Sequence, residues 1–230
     1  MKGLLYYTDN QCQERILQAV RSQINKCLNG NKLISVSQHP IDFGDNTVLP
    51  LEQSILSMFK QILFGLELLE TEIVFFVEQD VLYHPSHFDF IPPKKDVYYF
   101  NTNVWMVDSI SGKAVYYDNA KKTSGLIAHR DILLEHYRNK VEKIEDSGFH
   151  LKQMGYEPGK KLSRGREDYE WECFKAEHPN VDIKHNNTLT RGRFKLKEYR
   201  DRRIKDSWIE SYEIPYWGKT KPFNDFLRAL

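Results

Sequence analysis

Cysteine is scarce in this chain and poorly placed for chemistry. Its 230 residues hold three, Cys12, Cys27 and Cys173. An odd set without ligand spacing forms neither a disulfide framework nor a zinc knuckle, and reads as reduced thiols in a cytoplasmic protein. Glycine-rich phosphate loops are missing too. The first apolar run leads into Tyr7-Thr8-Asp9-Asn10 with no G-x-G-x-x-G, and no Walker motif occurs. That argues against a dinucleotide dehydrogenase and a P-loop enzyme, and leaves diphosphate binding to a metal and side chains. No apolar run reaches membrane-spanning length, and the apolar stretch at the start is too short for a signal peptide, so no membrane insertion is expected. Net charge is +1, which gives no global steering toward nucleic acid or membrane. There is no internal repeat and no low-complexity linker.

What remains is an ordinary globular composition, 40% hydrophobic and 28% charged, long enough for one domain with an appendage. Leu4 to Thr8 reads as a buried strand. Ile16, Val20, Ile24 and Leu28 follow at helical spacing, and Asn29-Gly30 stops that helix. Leu33 to Val36 is a second strand, and His39 to Pro50 a loop. Ile55, Phe59, Ile62, Leu66 and Leu69 give a second amphipathic helix. Ile73 to Val77 is a third buried strand with Glu78-Gln79-Asp80 at its carboxyl end. The alternation predicts an α/β fold whose mostly parallel sheet carries helices on both faces, with ligands beyond the carboxyl ends of the strands.

Further on, Val97 to Phe100, Val104 to Val107 and Ala114 to Tyr117 read as short strands, Ser124-Gly125 opens another apolar run, Leu126 to Ala128, and Asp131 caps a helix through Tyr137. Residues 138–166 read as a polar loop, Glu167 to Ala176 as helical, and Val181-Asp182-Ile183 as a strand ending at Lys184-His185.

Several of these positions carry chemistry. An acidic triplet at a strand end can hold a divalent cation against the charge that develops on a diphosphate. A carboxylate such as that in Arg166-Glu167-Asp168 can take a proton from a hydroxyl. A histidine after a buried strand, such as His185, can ligate a metal. Each alone has a plain alternative: a solvated strand end, a helix-dipole partner, a surface histidine.

The order strand, Glu78-Gln79-Asp80, Ser124-Gly125, Arg166-Glu167-Asp168, His185 resembles the core of GT-A glycosyltransferases, which is Rossmann-like. The closest likeness is to small family-2-like inverting enzymes of bacteria and phages, and it spans roughly residues 3–193. Phe75-Phe76-Val77-Glu78-Gln79-Asp80-Val81-Leu82-Tyr83-His84-Pro85 is the most specific stretch. The resemblance implies a Mn²⁺ or Mg²⁺ cofactor and a nucleotide-sugar donor, by family habit a UDP-sugar. It makes Asp80 and His185 metal ligands and Glu78 a contact to metal or ribose. It places Gln79 at the donor, Ser124 and Gly125 in a glycine loop between donor and acceptor, and Asp168 as catalytic base with Glu167 beside it. Tyr7, Thr8, Asp9 and Asp42 fall where the family grips base and ribose. His84, beside Pro85, reads as structural. Residues 1–190 form the catalytic domain, with a nucleotide-sugar half (1–100) and an acceptor half (101–190), and 191–230 a basic, aromatic C-terminal extension.

That extension suggests an acceptor. Arg191, Arg193, Arg200, Arg202 and Arg203 lie among Phe194, Tyr199 and Trp208, a mixture suited to phosphate tracking and base stacking. The reading is a polyanionic acceptor, with a hydroxylated or hydroxymethylated base of phage DNA first and a saccharide or protein hydroxyl as the alternative. A solvated helix face with local ion pairs is the plainer reading of the run. A non-catalytic nucleic-acid-binding module on the same fold is the competing function class.

Overall fold

The two apolar runs at Leu4 and Ile73 become neighbouring strands at the centre of a sheet. The computed structural model describes residues 1–159, 168–187, 189 and 207–230. The chain runs β1 (Lys2–Thr8), α1 (Glu14–Cys27), β2 (Lys32–Ser37), β3 (Asp45–Val48), α2 (Ile55–Leu68), β4 (Ile73–Glu78), β5 (Val81–Leu82), a 3₁₀ turn (Pro85–His87), β6 (Val97–Asn101), β7 (Val104–Asp108) and β8 (Ala114–Tyr116). A second 3₁₀ turn (Thr123–Gly125) leads to β9 (Leu126–His129), α3 (Arg130–Ser147), α4 (Leu151–Met154), β10 (Glu170–Phe174), β11 (Asn180–Lys184), β12 (Ile209–Ser211), β13 (Glu213–Ile214), β14 (Gly218–Lys219) and α5 (Phe223–Arg228).

The main sheet has the order β10-β6-β9-β4-β1-β2-β3. β9 runs against its neighbours, and the other strands share one direction. Leu4 and Tyr6 face α1, which lays down Ile16, Val20 and Ile24. Leu5 and Tyr7 face the other way, toward Phe59, Ile62 and Leu66 of α2 and Leu133 and Tyr137 of α3. Helices on both faces explain why these strands read as continuous apolar runs and not as alternating ones. The Phe76 and Tyr137 rings stack at 5.7 Å, and burying one such side chain stabilises by about 2 kcal/mol. The expected mostly parallel sheet flanked by helices is present.

A second sheet, β12-β8-β7-β11-β5, packs beside the first. β5 leaves the main sheet directly after β4 and pairs antiparallel with β11. The chain therefore turns at Gln79-Asp80, on the seam between the sheets.

Four local expectations change. The loop expected over 39–50 contains β3, a polar strand held by pairing with β2 and by the Asn46 amide bonded to Ser35 and Ser37. α3 continues to Ser147, ten residues past Tyr137, with Val141 and Ile144 carrying its buried face. Its N-cap is His129, and Asp131 lies in its first turn. The segment expected to be helical over 167–176 contains β10, an edge strand parallel to β6. Residues 207–230 return to the body: β12 pairs with β8, Trp217 donates to the Pro179 carbonyl, and Phe223 and Phe226 enter the core against α1. Among the described residues no helix is long and apolar enough to cross a membrane.

One core residue gives a prediction. His87 is fully buried, and its Nδ1 faces the Asn101 amide nitrogen at 3.1 Å. Asn101 Oδ1 accepts the backbone N–H groups of Asn103 and Ala176, so the NH₂ end must point at His87. The ring is thus neutral, with its proton on Nε2. Burial pushes its pKa down to about 3, against roughly 6.5 when unfolded. Between those values the unfolded chain binds one more proton, so stability rises with pH and falls by about 1.4 kcal/mol per unit on acidification. Denaturant unfolding of wild type and His87→Phe across that range checks it. The variant should lose one proton's worth of slope, and equal slopes would remove His87 from the acid limb.

Candidate functional site

The carboxyl ends of β1 and β4 build the first part of the site. Their parallel register sets Tyr7 beside Glu78. Tyr7 Oη donates to Glu78 Oε1, and the Glu78 backbone N–H donates to Tyr83 Oη at 3.0 Å. Thr8 Oγ1 donates to Gln79 Oε1, and Gln79 Nε2 donates to Asp9 Oδ1 at 2.8 Å. Gln53 Nε2 holds the second Asp9 oxygen at 2.6 Å. Tyr7 and Thr8 are buried. They orient Glu78 and Gln79 from behind, whereas Asp9 reaches the rim. Burial, and then the nearby Asp80 charge, push the Glu78 carboxyl above the usual carboxylate range.

β11 supplies the second part. Asp182 pairs with Val81 in an antiparallel register, and the Ile183 N–H donates to the Asp80 carbonyl at 2.8 Å. That register carries the end of β11 past the acidic turn. His185 Nε2 lies 3.5 Å from Asp80 Oδ2, with the imidazole fully buried and the carboxylate 15% exposed. Among the described residues Nε2 has no hydrogen-bond partner. An orphaned ring nitrogen facing a carboxylate across a gap too long for a hydrogen bond suits a shared cation. His185 Nδ1 accepts a long bond from the Asn187 N–H, 3.3 Å. Ligation through Nε2 would move the ring proton to Nδ1 and give up that bond. Among the described residues no group of three or more His, Cys, Asp or Glu could hold a metal. Asp80 and His185 could hold a cation only with further ligands from outside this pair, as magnesium sites often do with water.

The third part was not singled out from the sequence. Asp182 is buried, with its side chain 4% exposed, and Lys122 and Lys184 each take one of its oxygens. Lys184 Nζ lies 2.7 Å from Oδ1, and Lys122 closes on Oδ2. Burial works against both charges. The two lysines outweigh it and hold Asp182 below the usual carboxylate range, while Asp182 and then Asp80 hold Lys184 above the usual lysine range. Asp182 and Lys184 sit two apart on one face of β11. Charges in an otherwise buried Val-Asp-Ile-Lys strand were the signal available.

Lys122 leads into the Thr123–Gly125 turn, which lies at the same sheet edge. Ser124 is buried. Gly125 packs so close to β6 that a Cβ there would meet the Asn101 carbonyl oxygen at 2.7 Å. The glycine is required by that approach, and the turn brings Lys122 to Asp182. Asp42 stands apart: it is exposed on the return from β2 to β3, beside Phe43, whose carbonyl accepts from Ser35 Oγ. His84 has a structural place, accepting the Ser86 N–H at its Nδ1 and packing on His178 and Tyr216.

Asp168 is not brought to this edge. Its carboxylate is 5% exposed and lies 3.0 Å from His136 Nδ1. It accepts from Tyr98 Oη at 2.9 Å and from the backbone N–H groups of Gly159 and Tyr169. Ile127 pairs with both Phe75 and Tyr99, so Tyr98 is level with Val74, four residues short of Glu78. At about 3.3 Å per residue that is roughly 13 Å along the strands. β10 begins level with Val97, so Asp168 enters from the amino-terminal end of the sheet, under α3. Burial pushes its pKa up, and His136 and the two backbone donors outweigh it and hold the carboxyl well below its ordinary range. Glu167, Arg191, Arg193, Arg200, Arg202 and Arg203 lie outside the described residues.

No family model and no curated protein matches the chain. Solved structures give distant likenesses. One is a glycosyltransferase involved in the glycosylation of the major capsid of PBCV-1, with 11% identity, a TM-score of 0.47, and coverage of 76% of this chain and 81% of that one. Another is a mannosyltransferase from Pyrobaculum calidifontis in complex with GDP-Man and Mn²⁺, with 11% identity, a TM-score of 0.46, and coverage of 99% and 68%. A nucleotidyl transferase from Methanothermobacter has 11% identity, a TM-score of 0.40, and coverage of 64% and 83%. At scores below 0.5 these likenesses assign no chemistry to this chain.

Proposed function

We propose that the chain is a metal-dependent transferase that binds a nucleoside-diphosphate sugar at the carboxyl edge of the main sheet and passes the sugar to an acceptor hydroxyl with inversion. The observation that carries this is the His185 Nε2, unpartnered among the described residues, facing Asp80 at the strand ends, with the lysine-held Asp182 inside the adjoining strand β11. Open parallel sheets bind ligands in that crevice. Asp80 and His185 would hold the ion, which supplies a positive charge against the departing diphosphate. Asp9, at the rim, would meet the ribose or base. The acceptor oxygen bonds to the anomeric carbon, the bond from that carbon to the phosphate oxygen breaks, and its electron pair leaves on the diphosphate. The acceptor proton passes to solvent. Asp168 is not given the base role, because its carboxylate is already occupied by donors.

The test is a panel of UDP- and GDP-sugars incubated with Mn²⁺ or Mg²⁺, with donor cleavage followed by chromatography. Metal-dependent release of nucleoside diphosphate is the expected result. Mn²⁺ should serve better than Mg²⁺, because an imidazole ligand moves preference away from the purely oxygen-seeking ions. No cleavage and no binding of any donor would refute the reading. The acceptor proposal rests on sequence, on the arginines between 191 and 203. A duplex with hydroxymethylated bases belongs in the panel beside saccharide and protein acceptors. Absence of salt-sensitive DNA binding would exclude the duplex.

A further inference from the structure

Lys122 and Lys184 supply one cation more than Asp182 needs. One close ammonium neutralises a buried carboxylate, and drawing a second lysine out of water is costly unless it meets another partner. The lysines come from different segments, the turn before Ser124 and the end of β11, yet meet at one carboxylate, one on each oxygen. The Asp182 side chain is 4% exposed, whereas those of Lys122 and Lys184 are 15% and 24% exposed, so the two lysine side chains reach the surface and the anion between them does not. Lys184 is the neighbour of His185, and its charge is also felt by Asp80 and Glu78. Without these cations an edge carrying Glu78 and Asp80 would repel a phosphate.

Resting on the function proposed above, we infer that Lys122 and Lys184 form a phosphate subsite for the terminal phosphate of the nucleoside diphosphate, and that Asp182 is the positioning residue that sets their spacing. The subsite acts where charge develops. When the bond from the anomeric carbon to the phosphate oxygen breaks, the electron pair stays on the diphosphate, which gains one negative charge. Two fixed ammonium groups favour that state over the intact donor. Lysine suits the task as a point charge for phosphate. Asp182 touches no reacting atom and works only through the lysines.

Calorimetric titration of the full chain with uridine and guanosine mono- and diphosphates, in the presence of Mn²⁺, tests this. Wild type should bind a diphosphate more tightly than its monophosphate. Lys122→Met and Lys184→Met should each weaken the diphosphate about tenfold or more, while the monophosphate changes by less than about threefold. Lys184→Arg should restore most of the loss. Asp182→Asn is the discriminating variant. Deleting a negative charge near an anion should tighten binding if Asp182 acts only as a charge, and should weaken it if Asp182 positions the lysines.

If neither lysine variant fits the expectation, because diphosphate affinity is unchanged or both nucleotides weaken equally, the subsite is overturned while wild-type binding keeps the proposed function standing. Tighter binding by Asp182→Asn overturns the positioning role. A wild type that binds no nucleotide overturns the proposed function, and the subsite with it. If a single lysine variant does not fold, Lys184→Met with Asp182→Asn removes both charges of the 2.7 Å pair and leaves Lys122, 15% exposed, as the one cation of the cluster. The same criterion applies to it.

Discussion

Replacing Asp80 with alanine is expected to lower metal-dependent donor turnover about a thousandfold, a loss of roughly 4 kcal/mol in transition-state stabilisation. His185→Ala should cost about a hundredfold, because the carboxylate supplies charge as well as a ligand. The fold should survive both changes. Asp80 joins the seam to β11 through its backbone carbonyl, which alanine retains. The Asp80 side chain is moreover a like charge that helps push Glu78 up, so its removal should leave the melting temperature unchanged or slightly raised. Activity and stability are thus expected to move in opposite directions, the usual sign of a site built at the expense of stability. The measurements are donor release at saturating Mn²⁺ and thermal unfolding without metal. Turnover within threefold of wild type in Asp80→Ala would dissolve the assignment of this edge. So would a variant that is inactive only because it has unfolded.

What the sequence shows of this site follows burial. β1 and β4 are buried on both faces, so Leu4 and Ile73 announce them as uninterrupted apolar runs, and the polar residues that end them mark the ligand edge. β10 has a half-exposed Glu-Trp-Glu-Cys-Phe pattern at the border of the sheet, and its strand character comes from pairing with β6. Local propensity could not reveal that. β3 is polar for the same reason. The outer turns of α3 read as loop because Arg138, Asn139 and Glu142 dominate the sequence, while Val141 and Ile144 alone mark the stripe.

The candidate residues divide in the same way. Asp80 and His185 were legible as a pair because each follows a buried strand, and antiparallel pairing of β5 with β11 makes two strand ends meet. Lys122 was invisible: nothing in Lys-Lys-Thr-Ser-Gly says which lysine turns inward. Tyr7 and Thr8 lie where expected but point into the protein, because the alternation that buries Leu5 also buries Tyr7. For Asp168 the missing knowledge was the direction of β10. A carboxylate just before a strand parallel to β6 lies at the amino-terminal end of the sheet, whereas one just before a helix running back toward that end would lie at the other.

Asp168→Ala should therefore act on stability before it acts on chemistry. Removing the carboxylate leaves Tyr98 Oη, His136 Nδ1 and the Gly159 and Tyr169 N–H groups facing a cavity. Breaking a buried, fully bonded charge costs about 3–5 kcal/mol. For a chain of this size that lowers the melting temperature by roughly 6–20 °C. Asp168→Asn should cost less, since its oxygen can still accept, but its NH₂ must face a donor. The pH dependence has a definite sign. The folded carboxyl is held below its unfolded value of about 3.9, so its contribution is complete above that pH and is lost on further acidification. Wild type should lose stability below about pH 4 faster than Asp168→Ala. Donor turnover, measured well below the variant's melting temperature, should stay within about threefold of wild type, because the carboxylate lies under α3 with its oxygens engaged. A thousandfold loss of transfer in a variant with wild-type stability would reverse the conclusion, making Asp168 the base that the order of motifs suggests and requiring its donors to release it during turnover.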